Sequence, residues 1–281
     1  MTESHYLQPS VLDDALAALA ARPWAVLAGG TDFYAARVGR PIREAILDIS
    51  RLTPLRGIAH EAGGWRVGAL TTWSDVLRQP LPRLFDGLKQ AAREVGGVQT
   101  QNAGTVAGNL CNASPAADGV PVLMSLSAEV ELASTRGVRR LPLTDFVTGN
   151  RATQRRPDEL VTAILVPARS ERARSKFVKL GARRYLVISI AMAAVTLDAG
   201  EDGKVAYAGV AVGACSPVAR RIPALEARLT GRALNAELAD LVRPADLGEL
   251  SPISDVRGTA EYRREIALTL IRRALQELAD E

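Results

Sequence analysis

The sequence has few of the residues on which most catalytic and metal-binding sites depend. Its 281 residues include two histidines and two cysteines, and aromatic residues make up 4% of the chain. Two cysteines are too few for a disulfide framework or for an iron–sulfur cluster that is bound by four thiolates. His5 lies near the N-terminus and His60 lies beside Glu61 in a loop-like segment. The pattern therefore argues against a histidine metal site or a catalytic triad.

The sequence also lacks long apolar runs and a strong excess of charge of one sign. Hydrophobic residues make up 47% of the chain, but no run approaches the ~18 residues of a membrane span. The N-terminus has no basic segment leading into an apolar one. The formal net charge is +4, and the basic residues are not interleaved with aromatic residues as in nucleic-acid-binding surfaces. These features predict a cytoplasmic protein with no membrane span and no nucleic-acid partner.

Glycine, hydroxyl and amide residues are concentrated in one nearly uncharged stretch, residues 96–118. Within it, a Gly-Thr-x-x-Gly-Asn spacing starts at Gly104. Residues without a Cβ let backbone N–H groups approach an anionic group closely. Neither the P-loop motif nor the Gly-x-Gly-x-x-Gly motif is present, so this stretch alone fits a ligand-binding loop or a tight structural turn.

Another glycine segment lies earlier in the chain and is called the first glycine segment, so that the stretch 96–118 contains the second. The apolar, strand-like residues 25–28 lead directly into a Gly-Gly-Thr-Asp segment, and a helix-compatible stretch follows at 33–38. The first N–H groups of a helix have no internal acceptor, so a strand–glycine–helix junction can bind an anion. Thr31 is the better candidate ligand. The carboxylate of Asp32 would repel a phosphate, so Asp32 is expected to cap the helix.

Together the two segments resemble the paired FAD-pyrophosphate motifs of the medium, flavin-binding subunit of molybdenum hydroxylases. That family includes carbon monoxide dehydrogenase and xanthine dehydrogenase. A third segment, residues 255–264, resembles the start of the last helix of the family's C-terminal domain, so the resemblance covers essentially the whole chain. The first two motifs read Ala28-Gly29-Gly30-Thr31-Asp32 and Gly104-Thr105-Val106-Ala107-Gly108-Asn109, with Asp118 following.

The resemblance implies a mixed α/β (α+β) fold, in which a two-subdomain FAD-binding fold precedes a C-terminal α+β domain with a small antiparallel sheet and helices. Alternating and apolar runs in the middle of the chain also favour antiparallel strands. The expected domains are an N-terminal FAD-binding subdomain at 1–55, a second FAD-binding subdomain at 56–168 and a C-terminal flavoprotein domain at 169–281.

The resemblance also implies a set of cofactor-binding residues. Backbone amides of the two glycine segments would clasp the pyrophosphate from two sides. Asp118 would bind a flavin-proximal hydroxyl or ring group, or else cap the helix that starts near Pro121. The full expected set is Leu27, Ala28, Gly29, Gly30, Thr31, Asp32, Ala103, Gly104, Thr105, Ala107, Gly108, Asn109, Asp118, Val161 and Lys179.

A basic segment at residues 169–184 contains seven basic residues and a single acid, Glu171. It fits a solvated surface, a docking surface for an acidic partner, or a setting for Lys179 near the flavin. The resemblance places Lys179 beside the flavin, where its charge would stabilise the reduced cofactor. The next residues, Tyr185-Leu186-Val187-Ile188, depart from the family pattern of acidic residues or Gly-Asp. Ile188 is expected, by position, to face the flavin.

As to function, the resemblance implies an electron-transfer subunit with FAD in this chain and no metal of its own. A large molybdopterin-binding subunit would oxidise the substrate, and a small iron–sulfur subunit would deliver the electrons. FAD would then pass them to NAD+, a quinone or oxygen. The implied assembly is a dimer of heterotrimers, with molybdopterin and iron–sulfur clusters on the partner subunits.

Two other functions stay open at the level of the sequence. A free-standing FAD-dependent oxidoreductase of the same fold would need acid–base residues over the flavin. A non-redox nucleotide-binding module would use the glycine segments without redox chemistry. Cys111, which lies in the second glycine segment, also leaves a covalently bound flavin as a minor alternative.

Overall fold

The computed structural model describes residues 5–280, whose strands form three main sheets that follow one another along the chain. The first is a parallel sheet of three strands in the order β1-β3-β2, connected by two helices. Its core contains Leu16, Leu19 and Leu47, which are buried. The elements are β1 (Tyr6–Leu7), α1 (Leu12–Ala21), β2 (Ala25–Leu27), α2 (Thr31–Ala35) and β3 (Ile46–Asp48).

The second sheet has five antiparallel strands in the order β4-β5-β10-β6-β7. Five helices lie between its second and third strands in the sequence. Its elements are β4 (Ile58–Glu61), β5 (Gly64–Gly68), α3 (Trp73–Arg78), α4 (Asp86–Glu94), α5 (Val98–Ala103), α6 (Val106–Asn112), α7 (Gly119–Ser125), β6 (Glu129–Ser134), β7 (Gly137–Pro142), α8 (Leu143–Phe146) and β10 (Leu160–Pro167). Between α8 and β10 lies a small hairpin of β8 (Val147–Gly149) and β9 (Ala152–Thr153).

The third sheet has four antiparallel strands in the order β11-β12-β13-β14. The long helix α10 packs on this sheet, and Leu275 and Leu278 lie in the shared core. The elements are β11 (Arg174–Leu180), β12 (Ala191–Ala199), β13 (Val205–Gly213), β14 (Arg220–Arg221), α9 (Pro223–Leu229) and α10 (Ala260–Asp280). Short 3-10 helices occur at Thr53–Leu55, Arg83–Phe85, Ala236–Leu241 and Pro244–Leu247.

This architecture confirms the expected mixed α/β fold with a small antiparallel sheet near the C-terminus. Helices α4 and α7 pack against strands of the third sheet, so the second and third sheets share a packed boundary. The strands of the three sheets lie within residues 6–48, 58–167 and 174–221. The domain boundaries expected at 55/56 and 168/169 stay a prediction.

The glycine-rich stretch 96–118 is more helical than the sequence suggests. It contains α5 and α6, which are separated at Gly104 and Thr105. Thr105 caps α6, because its Oγ1 accepts a hydrogen bond of 2.9 Å from the N–H of Gly108. The second glycine segment is therefore the junction of two short helices rather than an open loop.

None of the helices within residues 5–280 is long and apolar enough to cross a membrane. In the same described range, no three or more His, Cys, Asp or Glu side chains cluster in a way that could hold a metal ion.

Candidate functional site

A cavity of about 450 Å³ lies between the first sheet and helices α5 and α6. Its volume is within the roughly 300–1,000 Å³ typical of cofactor sites. The end of β2, the following turn and α2 line one part, and α6, β9 and the start of β10 line another. All the expected cofactor-binding residues line this cavity except Ala103, Asp118 and Lys179. Val161, which is buried on β10, is among those that do.

The two glycine segments meet at the wall of this cavity. A Cβ built on Gly29 would lie 1.8 Å from the carbonyl oxygen of Ala103, the last residue of α5. A Cβ on Gly104 would lie 3.4 Å from Oγ1 of Thr31. The absence of side chains therefore lets the β2–α2 turn pack directly on the α5–α6 junction. Ala103 supports this contact although it does not line the cavity.

The conformation of the first segment corrects the role expected of Asp32. Gly30 occupies the N-cap position of α2 with φ 71°, in the left-handed region that favours glycine, and no side chain caps this helix. Asp32 lies in the first turn of α2, is exposed and lines the cavity. Its carboxylate is therefore a wall group of the cavity and not a helix cap.

Most backbone N–H groups of the second segment are already used within the protein. The N–H of Gly104 donates to the Thr100 carbonyl at 2.6 Å. The N–H groups of Gly108 and Asn109 donate to the hydroxyl and the carbonyl oxygen of Thr105, at 2.9 and 3.1 Å. These three amides therefore each have an acceptor within the protein, and the clasp of a pyrophosphate by backbone amides from two sides stays a prediction.

The second segment still offers side-chain groups to a ligand. Oδ1 of Asn109 is buried and has no hydrogen-bond partner, and Thr105, whose hydroxyl accepts from the N–H of Gly108, also lines the cavity. A buried acceptor without a partner costs about 1–3 kcal/mol, which a ligand hydroxyl donating to Asn109 would offset. The unpaired amide and the packing that depends on Gly29 fit a bound cofactor that carries hydroxyl and anionic groups.

Asp118 and Lys179 form an ion pair away from this cavity. Asp118 precedes α7, yet its side chain does not cap the helix, so the capping alternative is wrong. Its carboxylate accepts hydrogen bonds from Lys179 Nζ at 2.9 Å and from the Ser189 hydroxyl at 2.6 Å. Burial raises the pKa of the Asp118 carboxyl, and the Lys179 ammonium offsets part of this rise.

The charge of Lys179 is compensated by its neighbours. Its Nζ lies 3.8 Å from the carboxylate of Glu94 as well as 2.9 Å from that of Asp118, and only 7% of its side chain is exposed. It also contacts the carbonyl oxygen of Val187 at 3.4 Å. Lys179 lines a second cavity of about 560 Å³, beside Arg93 and other residues of α4 and β11 and beside Arg183, which follows β11. The negative charges of Asp118 and Glu94 would reduce any electrostatic effect of Lys179 on a flavin.

The expected flavin-facing residue, Ile188, lies in the segment between β11 and β12. Its side chain is 54% exposed and lines neither cavity. The guanidinium of Arg183 donates to the carbonyl oxygen of Leu186, which has a left-handed φ of 51°. Tyr185, Leu186 and Ile188 are all presented to solvent by this segment.

The thiol of Cys111 lies on α6 at the wall of the main cavity. Cys111 is exposed there, and Arg155 lies nearby. A covalent flavin at Cys111 stays a minor alternative.

The sequence analysis missed three arginines that line the cavity, Arg37, Arg151 and Arg155. Arg37 pairs with Glu44 at 2.8 Å, and Arg155 Nη1 donates to the Glu159 carbonyl at 2.8 Å. None of them lies in a recognisable motif, and they approach the glycine segments only through folding. The one local signal is the Gly149-Asn150-Arg151 stretch, whose Gly-Asn pair is typical of a turn.

Comparisons with known proteins agree with this geometry. Residues 2–169 match the family model described as the FAD binding domain in molybdopterin dehydrogenase, and residues 176–278 match the CO dehydrogenase flavoprotein C-terminal domain. The chain is 34% identical over 238 residues to the glyceraldehyde dehydrogenase medium chain of Sulfolobus acidocaldarius, covering 83% of each chain. It is 28% identical to the nicotinate dehydrogenase FAD-subunit of Eubacterium barkeri, covering 100% of this chain and 98% of that one.

Among solved structures, one similar chain belongs to reconstituted CO dehydrogenase from Oligotropha carboxidovorans. The TM-score is 0.89 at 27% identity, and the match covers 99% of this chain and 98% of that chain. Fold, cavity and matches together define an FAD-binding oxidoreductase subunit. The chain belongs to the family of FAD-binding medium subunits of molybdenum hydroxylases, the carbon monoxide dehydrogenase and xanthine dehydrogenase type. The expected family is thereby confirmed.

Proposed function

We propose that this chain binds FAD in the cavity between the first sheet and helices α5 and α6, and that it relays electrons within a molybdenum hydroxylase. The observation that carries the proposal is the contact of Gly29 with Ala103, because it joins both glycine segments at one cavity wall. FAD, when bound, supplies the redox chemistry that accepts electrons and passes them to an external acceptor.

The residues of the first segment would hold the pyrophosphate. The N–H groups at the start of α2 have no acceptor within the helix, and the Thr31 hydroxyl lies beside them. On the opposite segment, the Thr105 hydroxyl and the Asn109 side chain would bind hydroxyl or phosphate oxygens. The rest of the expected set would contribute apolar and backbone contacts. These residues are Leu27, Ala28, Gly29, Gly30, Gly104, Ala107, Gly108 and Val161. Asp32 is an exposed group of the cavity wall, and Ala103 supports the wall from behind through its contact with Gly29.

Asp118, Lys179 and Ile188 are assigned to the flavin end of the cofactor, as the family resemblance implies. Asp118 would bind a hydroxyl or ring group, and Ile188 would face the ring. Lys179 would favour the reduced cofactor through its charge, moderated by Asp118 and Glu94. These three assignments are supported by position along the chain and by the closeness of Asp118 and Lys179.

The proposal extends to the assembly. A small iron–sulfur subunit would deliver electrons that a large molybdopterin-binding subunit removes from the substrate, in a dimer of heterotrimers located in the cytoplasm. NAD+, a quinone or oxygen would be the final acceptor. Within this chain, residues 1–55 and 56–168 would form the two FAD-binding subdomains, and 169–281 the C-terminal domain.

A free-standing flavoenzyme is the second candidate, and the cavity gives it little support. Among the described residues that line the cavity, Asp32 is the single carboxylate and histidine is absent. Acid–base chemistry on a substrate needs a proton donor and acceptor within reach of the reacting atoms. The lining offers no such pair.

Co-purification of the chain from its native host, followed by absorption spectroscopy and metal analysis, tests the proposal. We expect molybdenum, iron and FAD to accompany the chain in one complex. A yellow protein that runs alone and turns over without molybdenum would overturn the assignment in favour of the free-standing enzyme. A colourless protein that releases no FAD on denaturation would instead support a non-redox module.

A further inference from the structure

The turn between β8 and β9 holds an arginine in a backbone conformation that arginine rarely adopts. Arg151 has φ 56°, in the left-handed region, and it immediately follows Asn150 in the tight connection between the two strands. Glycine is the usual residue at a hairpin position with positive φ, because it has no Cβ to clash. Non-glycine residues persist in such conformations where the surrounding structure holds them, often at ligand sites.

The backbone at Arg151 is fixed to the helix of the second glycine segment. Its N–H donates to the carbonyl oxygen of Ala113 at 3.0 Å. Ala113 ends α6 and is itself left-handed, with φ 47°. The position of Arg151 is thereby set relative to Thr105 and Asn109, which lie on the same helix or at its cap.

The side chain of Arg151 lines the main cavity and is exposed to it. Within residues 5–280 its guanidinium makes no hydrogen bond or ion pair, whereas Arg37 pairs with Glu44 and Arg155 donates to backbone carbonyls. A cation without a partner, held by a strained turn at a cavity wall, is placed for an anionic ligand. Guanidinium groups match phosphate oxygens with two parallel hydrogen bonds.

The second glycine segment supplies few free backbone donors to an anion in the cavity. The N–H groups of Gly104, Gly108 and Asn109 already have acceptors, so they add nothing to the binding of a dianion. Asp32, at the same cavity, carries a negative charge that a bound phosphate would have to tolerate. An unpaired arginine would offset this charge.

We propose that Arg151 binds the pyrophosphate of FAD. Its guanidinium supplies hydrogen-bond donors to the phosphate oxygens, whereas the N–H groups of Gly104, Gly108 and Asn109 already donate within the protein. Arg155 adds a neighbouring positive charge from the strand side of the same hairpin. The inference rests on the proposed location of FAD in this cavity. Arg151 lies outside both glycine segments, so the proposal adds a new cation to the anion-binding site.

Binding of FAD and of riboflavin to the full-length chain, freed of cofactor, tests this assignment. Quenching of flavin fluorescence gives both dissociation constants at low and at high salt. The variants are Arg151→Gln and Arg151→Gly, and the matched control is Arg156→Gln. Arg156 is an exposed arginine that follows the same hairpin without lining the cavity.

Both Arg151 variants are expected to weaken FAD binding by about tenfold to hundredfold, the range of a lost charge-assisted hydrogen bond. The salt dependence of FAD binding should also become shallower, because one ionic contact is gone. Riboflavin, which carries no phosphate, should bind as to the wild type, and Arg156→Gln should behave as the wild type with both ligands. Arg151→Gly should keep or raise the melting temperature of the cofactor-free chain, since glycine relaxes the turn.

Two results would overturn the proposal. One is an FAD affinity within about twofold of wild type in both variants. The other is an equal loss for FAD and riboflavin, which would make Arg151 a support of the cavity rather than an anion ligand. Gly29→Ala separates this from failure of the proposed site. If Gly29→Ala binds FAD as tightly as the wild type, the cofactor lies elsewhere, and the proposed location of FAD fails.

Discussion

Gly29 is the residue on which the geometry of the candidate site depends most directly. Its α-carbon packs against the carbonyl of Ala103, where a Cβ would come within 1.8 Å of the oxygen. Such an approach cannot be relieved by a side-chain rotation, because the clashing atom belongs to the backbone. The two segments would have to separate.

We expect Gly29→Ala to lower the free energy of unfolding by about 1–3 kcal/mol, as overpacked sites do, and to abolish measurable FAD binding. Thermal unfolding and flavin-fluorescence titration give the two quantities. Gly63→Ala is the control, because a Cβ at Gly63 meets no atom within 4 Å. Retention of wild-type FAD affinity by Gly29→Ala would remove the β2–α2 turn from the binding site.

At the scale of elements, Asp118 and Lys179 join the start of α7 to strand β11. The two residues are 61 positions apart, and the Ser189 hydroxyl adds the segment before β12 to the same carboxylate. Losing one partner of a buried ion pair is costly, because the other charge is left uncompensated. The pair therefore couples the packing of the second and third sheets to the environment proposed for the flavin.

Lys179→Met is expected to lower the reduction potential of bound FAD, because a nearby cation stabilises a cofactor that gains negative charge on reduction. The shift would be on the order of 30 mV for each 1.4 kcal/mol of lost stabilisation. Spectroelectrochemical titration of the holoenzyme measures it.

Lys179→Arg retains the charge and serves as the matched control for this prediction. The double variant Asp118→Asn/Lys179→Met removes both charges and so separates instability from a change in potential. An unchanged potential and an unchanged turnover in Lys179→Met would rule out a role for Lys179 in tuning the flavin.

At the scale of the whole molecule, polar contacts cross the boundary between the second and third sheets. The hydroxyl of Ser175 on β11 accepts from the N–H of Gly87 at 2.9 Å and donates to the carbonyl of Leu84 at 2.6 Å. The hydroxyls of Ser125 and Thr196 lie 2.8 Å apart in the same boundary. Buried polar groups that are paired in this way hold one arrangement of the two sheets, because any shift leaves them unsatisfied.

The stability of the whole chain is expected to fall in acid. On the second sheet, a hydrogen bond from the Arg66 guanidinium is the main cause that lowers the pKa of the Glu131 carboxyl from 4.5 to about 2. The Arg228 guanidinium likewise lowers the pKa of Asp246 near the third sheet. A folded-state pKa below the unfolded value adds stability above the unfolded pKa, and this stability is lost as pH falls through the folded pKa.

Urea denaturation across this pH range tests the contribution of Glu131. Wild type should lose unfolding free energy as the pH falls from about 5 towards about 2. Glu131→Gln should be less stable than wild type at neutral pH and should change less across the same window. Glu249→Gln, at an exposed position, should follow the wild type. Parallel curves for wild type and Glu131→Gln would show that Glu131 does not contribute.

The sequence alone determined the family, the mixed α/β fold and the two glycine segments of the site. These follow from local requirements. Gly30 adopts a positive φ, and Gly29 must lack a Cβ. Both positions therefore require glycine, and the Gly-Gly pair is visible in the sequence. Alternating apolar residues similarly indicate the strands of the second sheet, because side chains alternate between the faces of a strand.

The side-chain partners at the site, and the residues that line its cavity, became clear from the tertiary structure alone. It showed that Asp118 binds Lys179 instead of capping α7, and that Asp32 lines the cavity instead of capping α2. It also placed Arg151, from a hairpin more than forty residues beyond Gly104, at the same cavity. The physical reason is that hydrogen-bond and ion-pair partners are chosen by packing in space. Residues far apart in the chain become neighbours only when the sheets and helices assemble.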